Sequence, residues 1–176
     1  SYYQSYNIIG NDIPLIRNRE KLLQSFNIIQ NLIKDKFILS GHDVSDGGLI
    51  TTLIEMSISS NIGIYIKLPN NIIDINNYLF NEELGFVIEI HPKFLTYVNS
   101  LFNEFNININ TIAVSHSINT IDIEHKCKLL FSETISNVRN QWESTSFKLE
   151  QLQCEINCVY DEQYYLNNFK KLEYNF

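Results

Sequence analysis

Between the apolar run Phe37-Ile38-Leu39 and the helix-spaced residues Leu49, Ile50, Leu53 and Ile54 stands Gly41-His42-Asp43-Val44-Ser45-Asp46-Gly47-Gly48. An extended segment must become a helix there within a few residues, which places two carboxylates, a hydroxyl and a Gly-Gly pair at a strand-to-helix junction. Such a junction favours anions, because first-turn N–H groups lack intrahelical partners and the helix dipole adds partial positive charge. Asp43 or Asp46 suits a hard cation such as Mg²⁺, which takes oxygen ligands and shares them with phosphate. A plainer reading stays open: Ser45 or Asp46 caps the helix, and the glycines only permit the turn.

Helical and strand periodicities alternate along the rest of the chain. Leu22, Leu23, Phe26, Ile29, Leu32 and Ile33 predict an amphipathic helix from Asn18 to about Lys34. The segment 37–39 reads as a strand, the glycine turn follows, and a second helix runs to about Ser59. Ile62, Ile64, Ile66 and Leu68 alternate with Gly63, Tyr65 and Lys67, as a half-buried strand does. A short helix over 74–80, a strand over 86–90 and a helix opened by Pro92 and reaching about Phe105 come next. Strands are expected near 107–114, 120–123 and 128–131, with His125-Lys126 in the last hairpin turn. The order suits an α/β (α+β) fold, a layered domain built on a mixed sheet flanked by helices.

The ends differ from this middle. Residues 1–16 read as a lead-in, with a turn or extended chain at Asn11-Asp12-Ile13-Pro14. From Glu133 onward Ile135, Val138, Trp142, Leu149 and Leu152 describe one long helical stripe, with Trp142 as a packing anchor. A further helix is expected over 161–170, and the ending at Asn175-Phe176 reads as a chain that continues.

Charge and composition exclude several classes. A net charge of −7 leaves no basic stripe to release counterions from nucleic acid. No apolar run approaches the ~20 residues of a membrane span, and Ser1-Tyr2-Tyr3-Gln4 lacks the pattern of a secretion signal, so the chain is expected in the cytosol. Asn and Ile together exceed a quarter of the residues, yet apolar periodicity runs straight through the Asn clusters, so these are surface positions rather than disordered tracts. Cys154 and Cys158 would share a helix face if that stretch is helical, making zinc or a disulfide conceivable. With Cys127 they form an odd set without a second ligand pair, and reduced thiols are the default. His91, His116 and His125 are expected at exposed loops or strand ends.

The segment 39–50, followed by Leu53-Ile54-Glu55-Met56, resembles the large single-chain form of phosphoribosylformylglycinamidine synthase. Two further segments match in the same order: Leu79-Phe80-Asn81-Glu82-Glu83-Leu84-Gly85-Phe86-Val87-Ile88-Glu89, and the run from Trp142 to Leu152. The resemblance implies the second C-terminal module of a duplicated fold shared with aminoimidazole ribonucleotide synthetase. It places a lead-in at 1–16, the synthetase-like domain at 17–132 and a helical linker toward a glutaminase domain at 133–176. The implied reaction is ATP-dependent amidation of formylglycinamide ribonucleotide with ammonia from glutamine, in purine synthesis.

Carried over residue by residue, the resemblance makes Asp43 a Mg²⁺ ligand and Ser45 a contact to the nucleotide, ATP or ADP, while Asp46, Gly47 and Gly48 shape the turn. The nucleotide in this half of the duplication is implied to be an auxiliary one that stays bound. Glu82 and Glu83 are expected to be solvated turn residues and receive no catalytic role. The expected partners are neighbouring domains of the same polypeptide, with no nucleic acid and no membrane. The glutaminase residues, the upstream ATP loop and the other metal ligands are not in this sequence, so the fragment alone is not expected to catalyse the reaction. Selenophosphate synthetase and thiamine-phosphate kinase share the fold but leave the 142–152 segment unexplained. The alternative is a purely structural module of the duplicated synthetase.

Overall fold

A computed structural model describes residues 2–9 and 13–168. The expected turn at Asn11-Asp12, the last residues of the helix expected to reach 170 and the chain end at Asn175-Phe176 lie outside the described residues. The fold is mixed α/β, with seven α-helices and two sheets among the described residues. The described residues fall into two compact units, one within Ser1–Met56 and Pro69–Ile112 and the other within Ser57–Leu68 and Ala113–Phe176.

In the first unit helix α1 (Arg19–Lys34) starts on Asn18, whose side chain accepts the Lys21 N–H. Strand β1 (Ile38–Val44) pairs antiparallel with β3 (Gly85–Ile90), Ile38 opposite Ile90 and Val44 opposite Gly85. The strand expected over 37–39 therefore runs on through Gly41, His42 and Asp43, and the turn occupies only residues 45–47. Pairing with β3 satisfies the backbone of these polar residues, which overrides their weak strand preference. Helix α2 (Gly48–Ser60) follows, with residues up to Met56 in this unit and its last turn, from Ser57, in the second. Helix α3 (Ile75–Leu79) is capped by Asp74, and the Pro92–Phe94 3₁₀ turn leads into α4 (Leu95–Asn103). The core joins Ile28, Ile29 and Leu32 of α1 to Val98 and Phe102 of α4, with Ile38, Ile88 and Ile90 of the ladder packed against them.

The second unit holds a mixed four-stranded sheet in the order β4 (Ala113–His116), β2 (Gly63–Leu68), β5 (Thr120–His125), β6 (Lys128–Thr134). Only the β2–β5 pair is parallel. The strand expected from 107 begins at Ala113. Alternation along β5 buries Ile121, Ile123 and His125 and turns Thr120, Asp122 and Glu124 to the other face. His125, expected to be exposed, is 9% exposed because it falls on the inward register.

The β5–β6 turn is Lys126-Cys127, one residue later than expected, with φ of 51° and 61°. A two-residue hairpin loop with both residues left-handed favours Asn-Gly, and L side chains are strained there. The double substitution Lys126→Asn, Cys127→Gly is expected to stabilise this unit by about 1 kcal/mol, read as a higher urea midpoint. A lower midpoint would contradict it.

The stripe expected from Glu133 to Leu152 divides into α5 (Ile135–Trp142) and α6 (Ser144–Glu150), followed by α7 (Ile156–Asn167). Trp142 is not a packing anchor: it is 51% exposed, while Ile135, Arg139, Phe147 and Val159 are buried. Cys154 precedes α7 and Cys158 lies inside it, so the shared helix face does not form, and all three cysteines are free and exposed. Among the described residues no helix is long and apolar enough to cross a membrane.

Candidate functional site

The junction after β1 is built from backbone geometry first. Gly47 and Gly48 have φ of +84° and +73°, a region costly for residues with a Cβ. The Gly48 N–H donates to the Ser45 carbonyl at 2.9 Å and the Gly47 N–H donates to Glu82 Oε1 at 2.9 Å. These two amides are thus engaged within the chain. Thr52, 2% exposed, donates its hydroxyl to the Asp43 carbonyl at 3.0 Å and ties the first turns of α2 to the end of β1.

Asp43 stands opposite Phe86 in the ladder, with a side chain 67% exposed. Ser45 and Asp46 are exposed in the turn beside it. The His42 ring reaches two acceptors: Nδ1 lies 2.7 Å from the Asp43 carbonyl and Nε2 lies 3.3 Å from Glu55 Oε2. It also stands 3.4 Å from the Asp43 carboxylate, Nδ1 to Oδ1.

Glu82 and Glu83 are half-buried and partnered rather than simply solvated. Glu82 holds Gly47, and Glu83 accepts two hydrogen bonds from Arg17, at 3.1 and 2.8 Å. Sequence reasoning placed Asp43, Ser45 and the glycines together but missed His42, Thr52, Glu55 and the part of Glu82. Thr52, a hydroxyl buried beside Ile50 and Leu53 on the inward side of α2, was the available signal.

The donor set can be tested against Mg²⁺, which usually takes one or two protein carboxylates and fills the rest of its shell with water and phosphate oxygens. One exposed carboxylate at the end of a paired strand fits a partial share of such a shell. Among the described residues no three His, Cys, Asp or Glu side chains gather into a metal site.

The model of the AIR synthase related protein, C-terminal domain, matches residues 11–115, more than half of the chain. The chain belongs to that family. Its relatives include a phosphoribosylformylglycinamidine synthase from Homo sapiens, 33% identical over 165 residues, which cover 91% of this chain and 12% of the relative. The enzyme of that name from Dictyostelium discoideum is 37% identical over 177 residues, covering 90% of this chain and 13% of the relative. Probable membrane antigen 3 of Saimiriine herpesvirus 2 is 34% identical over 142 residues, 81% of this chain. The chain therefore spans only about 12% of the length of its curated relatives.

Among solved structures, T. maritima PurL complexed with ATP matches with a TM-score of 0.58 at 10% identity, over 64% of this chain and 20% of that one. The same protein complexed with FGAR matches at 0.58 and 11%, over 65% and 20%. At such identity these matches show the fold of the AIR synthase related domain and nothing finer. The junction residues Gly41–Gly48 and the Asn81–Gly85 segment both fall inside the 11–115 range of the family model.

Proposed function

We propose that this AIR synthase related domain is part of a phosphoribosylformylglycinamidine synthase, the cytoplasmic ligase that amidates formylglycinamide ribonucleotide with glutamine-derived ammonia at the expense of ATP. Similarity across about nine-tenths of the chain to synthases from several kingdoms carries this reading. Residues 17–132 form the synthetase-like module, 1–16 its lead-in and 133–176 a helical linker toward a glutaminase domain. The partners are the other domains of the same polypeptide, which supply the remaining catalytic groups.

Within that enzyme Asp43 contributes one carboxylate to a Mg²⁺ ion and Ser45 donates its hydroxyl to a phosphate of the bound ATP or ADP. The metal, when bound, offsets phosphate charge. This chain's own task is to orient that carboxylate and hydroxyl, which Thr52 and the β1–β3 ladder do by fixing the end of β1. The exposure of Asp43 and Ser45 supports the reading, since an ion and a phosphate need room beside them.

The engagement of the Gly47 and Gly48 amides within the chain favours a second reading: a structural module without a ligand. Mg-ADP retention by the full-length polypeptide separates the two. Asp43→Ala is expected to weaken retention about tenfold, the scale of one lost charge-assisted contact, and chelation of the metal to do the same to the wild type. Unchanged retention with unchanged stability leaves only the structural module.

A further inference from the structure

We infer that α7 docks an arginine-bearing surface of another domain of the same polypeptide, an inference that rests on the reading of this chain as one module of a longer synthase. Along α7 Ile156, Tyr160 and Tyr164 recur every four residues, which sets them in one row on the helix. All three are exposed, Tyr164 by 70%, while the helix buries Val159 and turns Gln163 and Asn167 to the Asn140 side chain of α5. The helix is therefore held along its inner side and bare along an aromatic outer row. Single exposed apolar residues are ordinary, but a contiguous row rich in tyrosine is the mark of a contact surface.

Charge narrows what the row is fitted to meet. Asp161 is exposed and stands three residues before Tyr164, a neighbouring position on the helix surface, and with Glu155 and Glu162 it makes every charged residue from 155 to 167 acidic. Aromatic faces with carboxylates beside them suit a guanidinium, which stacks on tyrosine and pairs with a carboxylate through two parallel N–H bonds. The extent of the matches points to where that guanidinium resides. The family model stops at residue 115, whereas similarity to the human synthase over 91% of the chain cannot leave out α5, α6 and the start of α7. These helices thus lie outside the family domain yet accompany it in a polypeptide of which the match covers only 12%. The remainder of that polypeptide is the source of the partner surface.

The test uses the full-length polypeptide and nitration by tetranitromethane, with each tyrosine followed by mass spectrometry and the urea-unfolded polypeptide as the reference for free access. Tyr160 and Tyr164 are expected to react about tenfold more slowly than in the unfolded chain, and Asp161→Lys to recover most of the free rate at Tyr164. Asp161→Asn, which removes the charge without reversing it, should recover less. Free reaction of both tyrosines in the wild type overturns the inference. Shielding that both variants leave unchanged also overturns it, because the cover is then not cationic, and shielding lost on dilution overturns it by assigning the row to a second copy. Failure of both variants to fold overturns it as well, since Asp161 is then a structural residue. A full-length wild type that does not amidate formylglycinamide ribonucleotide overturns the synthase reading instead, while the labelling still decides what covers α7.

Discussion

Gly48→Ala is expected to destabilise the first compact unit by roughly 3–4 kcal/mol, the sum of a left-handed backbone penalty and an overlap that cannot relax. A Cβ on Gly48 would stand 2.5 Å from the Phe80 carbonyl carbon and 2.8 Å from both the nitrogen and the oxygen of Asn81. All three are backbone atoms of a segment with little freedom to move. The Phe80 N–H closes the end of α3 on the Asn76 carbonyl, Leu79 beside it is 7% exposed, and Tyr2 stacks on the Phe80 ring.

The neighbouring glycine supplies the control. A Cβ on Gly47 would meet the Thr51 hydroxyl oxygen at 2.2 Å, but that is the end of a side chain that can rotate away. Gly47→Ala should therefore cost only about 1–2 kcal/mol, the left-handed penalty alone. Hydrogen exchange at the β1 and β3 amides under increasing urea measures both. Equal losses for the two variants would mean that the Phe80-Asn81 segment yields, and that close approach is not what requires glycine at 48. The same change should also displace Glu82 from the Gly47 N–H, since both lie on the segments being pushed apart.

What could be read from the sequence follows from how local each determinant is. Helices α1 and α4 announce themselves through apolar spacing, through Asn18 capping the first and through Pro92 opening the 3₁₀ turn that leads into the second, all signals carried within one segment. The extent of β1 does not, because Ser40 through Asp43 are extended only by virtue of Gly85–Glu89 across the ladder, some forty-five residues away. Asp43 and Ser45 were placed correctly at the junction, but their surroundings depend on that same distant segment. Glu82 reads as an ordinary turn carboxylate until the fold brings it to Gly47. The error at Trp142 has another cause. The buried positions follow Ile135, Arg139 and Phe147, spaced by four and eight, with half-buried Glu143 between the last two. An apolar-periodicity count skips Arg139 and Glu143 and settles on the adjacent row containing Val138 and Trp142.

Those two charges carry the second large prediction. Arg139, 6% exposed, donates to the carbonyls of Ile58 and Leu166, in the last turns of α2 and α7. A guanidinium at two helix C-termini satisfies orphan carbonyls and complements both dipoles. Arg139→Ala is expected to destabilise the second unit by about 3 kcal/mol, because buried acceptors are left unpaired and the packed stem is lost. The deficit should also depend on pH, through Glu143. Burial pushes its carboxyl above the ordinary 4.5, with Glu162 and Glu150 adding to the rise and Arg139 opposing it. A carboxyl raised in the folded state favours folding while protonated, and that contribution is lost as pH climbs through the folded value. Removing Arg139 raises the carboxyl further and enlarges the loss, so the variant's deficit should be greater near pH 7 than near pH 4. Urea unfolding followed by the fluorescence of Trp142, the chain's one tryptophan, reports on this unit directly. A deficit that stays constant across that range would separate Arg139 from Glu143 and reduce its role to capping the two helices.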